Sequence, residues 1–354
     1  MFKVFIDGKA GTTGLRLEQR LARRGDIELV SIKEELRKDT EARISCVAEA
    51  DVAFLCLPDE GSVGIMGGVE AAMKKDGTGS PLEKCRIIDC STAFRTKEGW
   101  AYGLPELSRN GGAASGGATG AGAIICEKDK RVANPGCHAT GFIMSVRPLI
   151  EAGLLDPAAD VCFHSLTGYS GGGKAMIAEY ENNGKIGGET TAAPKQHGLI
   201  NDGAARLYGL AQEHKHLPEM LMYSGLATPP VFSPIVCDFY SGMLTCVPLP
   251  RSALRRGASA EDVREALAAY YGGCPLVKVR EAGYEFSEAA GAGFLSADAF
   301  AGRDDIEIFV TGKDDRIQIV SRYDNLGKGA SGAAIQNMNI LLGLPEETGL
   351  VTGA

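Results

Sequence analysis

No stretch of this 354-residue chain is apolar for long enough to span a bilayer, which leaves no candidate membrane helix. No run of Lys and Arg offsets the formal charge of −8, which argues against a dedicated nucleic-acid surface. No pair of the ten cysteines has Cys-x-x-Cys spacing, and His214 and His216 stand two residues apart, off a shared helix face, so no zinc site is expected. The cysteines form no regular framework, which in a chain of this length points to free thiols in a reducing, cytoplasmic setting. Met1-Phe2-Lys3-Val4-Phe5-Ile6 reads directly as a strand, with neither a signal peptide nor an Arg/Ser-rich transit segment before it. No internal repeat is visible. What remains is an ordinary globular composition, 44% hydrophobic and 23% charged, long enough for two domains.

The first hundred residues alternate strand-like and helix-like runs. Val4 to Ile6 leads through a glycine loop to a helix near Gly14–Arg24. Ile27–Ile32, Asp51–Leu57 and Arg86–Asp89 follow as further strands. Near-continuous apolar strands between helices predict a doubly wound parallel sheet of Rossmann type, covered on both faces. From about residue 160 separate strand-like runs such as Met243–Val247 and Ile317–Val320 predict an α+β domain with a mixed sheet. Ala330–Leu342 reads as a final helix. The expected division is a nucleotide-binding domain over 1–136, completed by 325–354, and a catalytic and oligomerisation domain over 137–324. The glycine-rich stretch 110–122 reads as a surface loop.

Cys137 lies where a turn, Asn134-Pro135-Gly136, becomes a helix whose apolar positions recur from Thr140 to about Gly153. A thiol in the first turn of a helix faces unpaired N–H groups and the positive end of the dipole, and both favour the nucleophilic thiolate. Cysteines in such places are also commonly inert small hydrophobes. Position alone does not decide.

Gly8-Lys9-Ala10-Gly11-Thr12-Thr13-Gly14 follows a strand and opens a helix, the context in which glycines let backbone approach a dinucleotide pyrophosphate. Its spacing is G-x-x-G-x-x-G rather than G-x-G-x-x-G. No acidic residue ends the second strand to bind a ribose hydroxyl. Ser31, Lys33, Arg37 and Lys38 lie there instead, which suits a 2′-phosphate and hence NADP(H) over NAD. Gly168-Tyr169-Ser170-Gly171-Gly172-Gly173-Lys174 nearly matches a P-loop, but Ala175 stands where a Mg²⁺-binding hydroxyl belongs. A third glycine stretch, Asn325–Gly332, also precedes a helix.

A thiol, a dinucleotide loop and an imidazole together suggest redox chemistry on an acyl thioester. His214 and His216 are the candidate imidazoles; His138 neighbours the cysteine but points elsewhere on a helix, and His164 and His197 read as structural. Arg95 offers a planar fork for a carboxylate or phosphate. A phosphotransferase reading is opposed by Ala175. A papain-like hydrolase reading leaves the N-terminal glycine loop without a use.

The ordered motifs resemble those of the N-acetyl-gamma-glutamyl-phosphate reductases, in their shorter type 2 branch. They are the Gly8 loop, Leu55-Cys56-Leu57-Pro58-Asp59, Asp89-Cys90-Ser91-Thr92-Ala93-Phe94-Arg95, Tyr102-Gly103-Leu104-Pro105-Glu106 and Ala133-Asn134-Pro135-Gly136-Cys137. The Gly168 loop, Glu213-His214-Lys215-His216-Leu217-Pro218-Glu219 and Asp324–Gly332 continue the series. Stretch 110–122 looks like an insertion, and His138 stands where an aromatic residue is common. The resemblance implies reduction of N-acetylglutamyl 5-phosphate to the 5-semialdehyde in arginine biosynthesis, by NADPH, with release of inorganic phosphate and assembly as a homodimer or homotetramer. It implies Cys137 as nucleophile and His216 or His214 as acid–base. It places Gly8, Gly11, Thr12, Thr13, Gly14, Ser31, Lys33, Ser170, Gly171, Gly172, Asn325 and Lys328 at the cofactor, and Ser91, Arg95, Asn134 and Lys174 at the substrate. Aspartate-semialdehyde dehydrogenase and an aminoadipyl-phosphate reductase are the sibling activities.

Overall fold

The computed structural model describes residues 1–108, 124–181, 204–284, 287–288 and 291–353. The glycine-rich stretch 110–122 and His197 lie outside the described residues.

Two sheets carry the chain. The first half runs β1 (Phe2–Asp7), α1 (Thr12–Leu21), β2 (Ile27–Val30), α2 (Thr40–Glu49), β3 (Val52–Leu55), α3 (Asp59–Asp76), β4 (Arg86–Asp89), β5 (Ala101–Tyr102) and β6 (Arg131–Ala133). These strands form a sheet in the order β2-β1-β3-β4-β6-β5, and every pair in it is parallel. The chain reverses direction across the sheet between β1 and β3, and a crevice opens at that switch point, outside the carboxyl ends of the strands. The loop after β1 carries Gly8, and the residue after β3 is Cys56. Parallel strands buried on both faces need uninterrupted apolar sequence, as in fully buried Val52–Leu55. The second strand stops at Val30, two residues earlier than the apolar run suggests. The short β5 and β6 carry too little pattern to be read in advance.

From β6 the chain passes directly into α4 (Cys137–Glu151). The second half then runs β7 (Cys162–Gly168), α5 (Gly173–Glu181), β8 (Arg206–Leu207), α6 (Leu217–Ser224), β9 (Val231–Cys237), β10 (Met243–Pro250), α7 (Ala260–Tyr270) and β11 (Val277–Val279). It closes with a small hairpin, β12 (Ser287–Glu288) and β13 (Gly291–Ala292), followed by β14 (Ile306–Lys313), β15 (Arg316–Tyr323) and α8 (Gly332–Leu341). The second sheet is mixed, in the order β11-β14-β15-β10-β7-β9-β8. Only β11–β14 and β7–β9 pair in parallel within it.

Helix α4 is buried over most of its length because it is enclosed. Phe142, Ile143, Val146 and Leu149 join a core with Met220 of α6, Val247 of β10 and Leu267 of α7. Pro148 interrupts the helix interior, and its missing N–H leaves the Met144 carbonyl without its helical donor. The Tyr271 hydroxyl donates to that carbonyl at 2.7 Å instead. Helix α8 returns to the first sheet: Ile335, Met338 and Leu341 pack with Leu17 and Leu21 of α1.

The two ends of the chain are locked by three arginines. Arg16 and Arg20 stand four residues apart on α1 and share a face, and Arg24 follows just beyond its end. Arg16 donates to Asp324 at 3.1 Å, and Arg20 binds Asp304 through both nitrogens, one contact being 2.8 Å. Arg24 reaches the Asn339 side chain at 2.7 Å and the Thr348 carbonyl at 3.1 Å. Asp304 is 1% exposed, so its charge depends on Arg20 and on the Val351 N–H. Arg20→Ala is expected to lower unfolding free energy by about 3 kcal/mol, because a buried carboxylate loses its cation. Urea denaturation of the two proteins measures it.

Candidate active site

A cleft of about 450 Å³ lies where the two halves meet. At one end is the loop after β1. Gly8 has φ +83°, and a Cβ there would collide with the Cys56 carbonyl; a Cβ on Gly14 would lie 2.5 Å from the Gly8 carbonyl oxygen. Only glycine permits this approach of β1, β3 and α1. Gly11 is the N-cap of α1 and has no side-chain cap bond, so the N–H groups of the first turn face the cleft with Gly11, Thr12 and Thr13 on its wall. This cradle fits a dinucleotide pyrophosphate. Ser170, Gly171 and Gly172 line the opposite wall. Asn325 ties that wall down, donating to Ser170 Oγ at 3.1 Å and accepting from the Gly242 N–H at 2.9 Å.

At the other end Cys137 occupies the first position of α4, earlier than the apolar periodicity indicates, with Gly136 as N-cap. The helix start is tied to β15 by an inserted hydroxyl. Tyr323 donates to the Cys137 carbonyl at 2.7 Å and accepts from the Gly141 N–H at 3.2 Å, replacing the direct helical bond. Gly329 completes the fit: a Cβ there would lie 2.8 Å from Cys137 Cβ. Gly329 belongs to a single π-helical turn, Gly327–Ser331, which precedes α8.

Behind the thiol sits a buried carboxylate. Glu219 Oε1 accepts from Arg95 at 2.6 Å; its Oε2 accepts from the Tyr102 hydroxyl at 2.6 Å and the Gly136 N–H at 3.1 Å. Arg95 Nε donates to the Asn134 carbonyl at 2.9 Å, and Tyr223 donates to the Arg95 carbonyl at 2.8 Å. Among the described residues the remaining Arg95 nitrogen has no protein acceptor, and Arg95 lines the cleft. A Cβ on Gly136 would come within 2.5 Å of both His216 Nε2 and Glu219 Oε1. His216, Glu219 and Arg95 therefore converge at the residue before the cysteine. Glu219 carries a legible signal: it stands three residues after His216, at the start of the helix that His216 caps.

Three imidazoles share this end. His138 is sandwiched between Ser165 Oγ at 2.6 Å from Nδ1 and the Tyr208 hydroxyl at 2.7 Å from Nε2. His214 Nδ1 accepts from the His216 N–H at 3.2 Å, which leaves the neutral ring's proton on Nε2. His216 is buried, with Nε2 towards Gly136 and with no partner at Nδ1 among the described residues.

Burial governs the charges here. It pushes the Cys137 thiol up to about 11, against the Arg95 and Lys215 charges and the His138 N–H. Burial thus works against the thiolate that a helix start favours: desolvation draws the resting sulfur towards its protonated form. Burial likewise lowers His138 to about 3 and His214 to about 4, and drives His216 well below the usual histidine range, with neighbouring cations adding to each. All three rings are neutral near pH 7.

The other expected residues are placed as follows. Asn134 is buried on the cleft wall, donating to the Ala330 carbonyl at 3.1 Å and accepting from Asn337 at 3.0 Å. Ser91 lines an adjoining groove and donates its hydroxyl to Asp89 at 2.6 Å. Ser31 and Lys33 are exposed beyond β2, outside the cleft lining, and Lys174 is exposed at the start of α5, also outside it. Lys328 is not brought to the cleft at all. It is fully buried, 2.6 Å from Glu106 and 2.6 Å from Gln336, and so serves the packing of α8. Sequence reading missed Glu219, Tyr102, Tyr208 and Tyr323 as parts of the site; only the tertiary fold carries the tyrosines there. Among the described residues no group of three or more His, Cys, Asp or Glu side chains is arranged to hold a metal ion.

Neutral buried histidines link stability to pH. Below about 6.5 the unfolded chain binds protons that the folded chain refuses, so stability falls as pH falls. His138 and His216 are each expected to cost about 1.4 kcal/mol per pH unit below that point. Urea midpoints at pH 7.5 and 5.5 are expected to differ accordingly, and the difference is expected to shrink in His138→Phe.

Comparison with known proteins gives the family. The family described as "Semialdehyde dehydrogenase, dimerisation domain" matches residues 137–325. N-acetyl-gamma-glutamyl-phosphate reductase 2 of Nostoc sp. is 42% identical over 351 residues, covering 98% of this chain and 99% of that one. The N-acetyl-gamma-glutamyl-phosphate reductase of Brucella ovis is 40% identical over 343 residues, covering 96% and 99%. Among solved structures, aspartate semialdehyde dehydrogenase II of Vibrio cholerae, complexed with ASA, superposes with a TM-score of 0.62 at 14% identity, covering 97% and 98%. A probable aspartate-semialdehyde dehydrogenase of Pseudomonas aeruginosa gives 0.63 at 15%, covering 96% and 98%. At such identities these structures speak for the two-domain fold alone. The near-complete match at about 40% identity speaks for more: the chain belongs to the N-acetyl-gamma-glutamyl-phosphate reductase family.

Proposed function

We propose that this protein reduces N-acetyl-L-glutamyl 5-phosphate to N-acetyl-L-glutamate 5-semialdehyde with NADPH, releasing inorganic phosphate through a thioester on Cys137. The observation that carries the proposal is the meeting of Cys137 with His216 and the Arg95–Glu219 pair at one end of a cleft whose other end is a glycine cradle.

Because the sulfur holds its proton, a base must take it as the bond to the acyl carbon forms. Neutral His216, with Nε2 directed at the Gly136–Cys137 turn, is the residue for that task, and His214 is the alternative. The thiol proton passes to the imidazole, the sulfur–carbon bond forms, and the carbon–oxygen bond to phosphate breaks. The imidazolium proton leaves with the phosphate. Backbone N–H groups at the start of α4 face the developing oxyanion. Gly11, Thr12, Thr13, Ser170, Gly171, Gly172 and Asn325 would hold NADPH, with Gly8 and Gly14 shaping the turn beneath it. When bound, the cofactor supplies the hydride that takes the thioester to the aldehyde level. Collapse to the aldehyde releases the Cys137 sulfur as a thiolate, and one proton taken up from solvent, relayed by His216, restores the thiol. Ser31 and Lys33 suit the 2′-phosphate that separates NADP from NAD. Assembly as a homodimer or homotetramer in the cytoplasm completes the reading and is supported by the match to a dimerisation domain.

The test runs the reaction in reverse, with NADP⁺, inorganic phosphate and either N-acetylglutamate semialdehyde or aspartate semialdehyde, following NADPH absorbance. Phosphate-dependent reduction with the acetylated aldehyde alone is the expected result. Activity with only the aspartyl compound would transfer the chain to the sibling substrate. Cys137→Ser is expected to abolish turnover and leave NADPH affinity within about twofold, since sulfur is needed for the covalent step and not for binding. His216→Asn is expected to lower kcat by about 10²- to 10⁴-fold, and His214→Asn by much less; the opposite order would exchange their roles.

A further inference from the structure

Lys215 stands between His214 and His216 and has no role in the scheme above. Among the described residues it makes no hydrogen bond or ion pair, although its charge bears on Cys137 and on His138, His214 and His216. It is exposed, and it lines both the main cleft and an adjoining groove of about 530 Å³. Leu57, Cys90 and Arg95 are likewise shared by the two cavities, so the groove opens beside the thiol.

The charge balance at this junction is unequal. Arg95, Lys215 and Glu219 act on the Cys137 sulfur. Arg95 and Glu219 are bonded at 2.6 Å and both are buried, so to a third charge they look nearly neutral. Lys215 is left as the cation with no carboxylate bonded to it, although Asp59 and Glu60 line the same groove. Asp59, across the groove, is held by the Thr92 N–H at 2.8 Å and by the Thr92 hydroxyl, with no ion pair to Lys215. Against the effect of its own partial burial, the Thr92 bonds and the Lys215 and Arg95 charges keep Asp59 ionised below the usual carboxylate range. A dianion leaving the acyl carbon needs more positive charge than a neutralised arginine supplies.

We infer that Lys215, with the free guanidinium nitrogen of Arg95, forms the subsite for the departing phosphate, and that the groove beside Cys137 is its exit. The inference rests on the acyl-phosphate reading and adds the group that binds the phosphoryl end. Lys215 attracts the dianion while the carbon–oxygen bond breaks, and Arg95 orients it through a directed N–H. In the reverse direction the same pair holds inorganic phosphate for attack on the thioester.

Two measurements on wild type, Lys215→Met and Lys215→Arg test this. In the reverse reaction, Lys215→Met is expected to raise KM for phosphate about tenfold, while KM for NADP⁺ and for the aldehyde stays within about twofold; Lys215→Arg is expected to restore most of the loss. An unchanged phosphate KM, or an equal rise in all three constants, overturns the inference. The second measurement requires no aldehyde substrate: the rate at which iodoacetamide alkylates Cys137, read by peptide mass spectrometry, with exposed Cys126 and Cys162 as internal references. Inorganic phosphate is expected to slow alkylation of Cys137 selectively, with a half-protecting concentration about tenfold higher in Lys215→Met. Equal protection in wild type and Lys215→Met, or equal protection by sodium chloride at matched ionic strength, overturns it. Because alkylation is indifferent to the acyl group, a wrong substrate assignment and a wrong phosphate subsite give different results.

Discussion

Glu219 is a single carboxylate with three donors, and the donors come from three separated segments. Arg95 belongs to the loop after β4, Tyr102 to β5 and the Gly136 N–H to the turn that launches α4, while Glu219 itself rides on α6. Burying an ion pair of this kind is expensive in desolvation, and the cost is offset only when the remaining lone pairs are also satisfied. Here both oxygens are occupied. The carboxylate thereby sets the position of the first turn of α4, and with it the cysteine, relative to the loop that carries Arg95. Every other feature of the reacting end is built around that node.

The same burial decides what the chemistry requires. A thiol raised to about 11 and imidazoles held far below their ordinary range form a neutral pair, with no charge to screen and little to attract water. A preformed thiolate–imidazolium pair would need both ions stabilised in a region of low polarity, and the buried cation nearby, Arg95, is already bonded to Glu219. On the proposed reaction the proton moves when the substrate arrives with its own charge. Neutral rest and activation on binding follow from one cause, desolvation.

Close backbone approach is the second constraint, and three glycines enforce it around Cys137. Gly136 admits His216 and Glu219, Gly141 admits the Tyr323 hydroxyl, and Gly329 admits the cysteine itself against the π-helical turn before α8. Each contact joins α4 to a different part of the chain. The cysteine is thus positioned from three sides by elements that are distant in sequence. At the opposite end Gly8 and Gly14 play the same part for the β1–α1 turn.

The alternation of apolar strands and helices, the glycine loop after β1, the cysteine at a helix start and the two-histidine motif were all legible in the sequence. Each is a local pattern, and local patterns follow from backbone geometry and side-chain periodicity. The parallel order of the first sheet and the mixed order of the second were legible as classes but not as strand orders, and β5 and β6 are too short to carry a period. What the sequence by itself determined is the chemistry available: a thiol, imidazoles, a fork of guanidinium and a cradle for phosphate. Tertiary structure alone decided the use of each. It took Lys328 out of the cleft and paired it with Glu106, because burying that ammonium demands a carboxylate. It made Glu219 the anchor, left Lys215 without a partner among the described residues, and set burial against ionisation of the Cys137 thiol. Ionisation depends on solvent exposure and on charges brought close by folding, and neither is a property of neighbours along the chain.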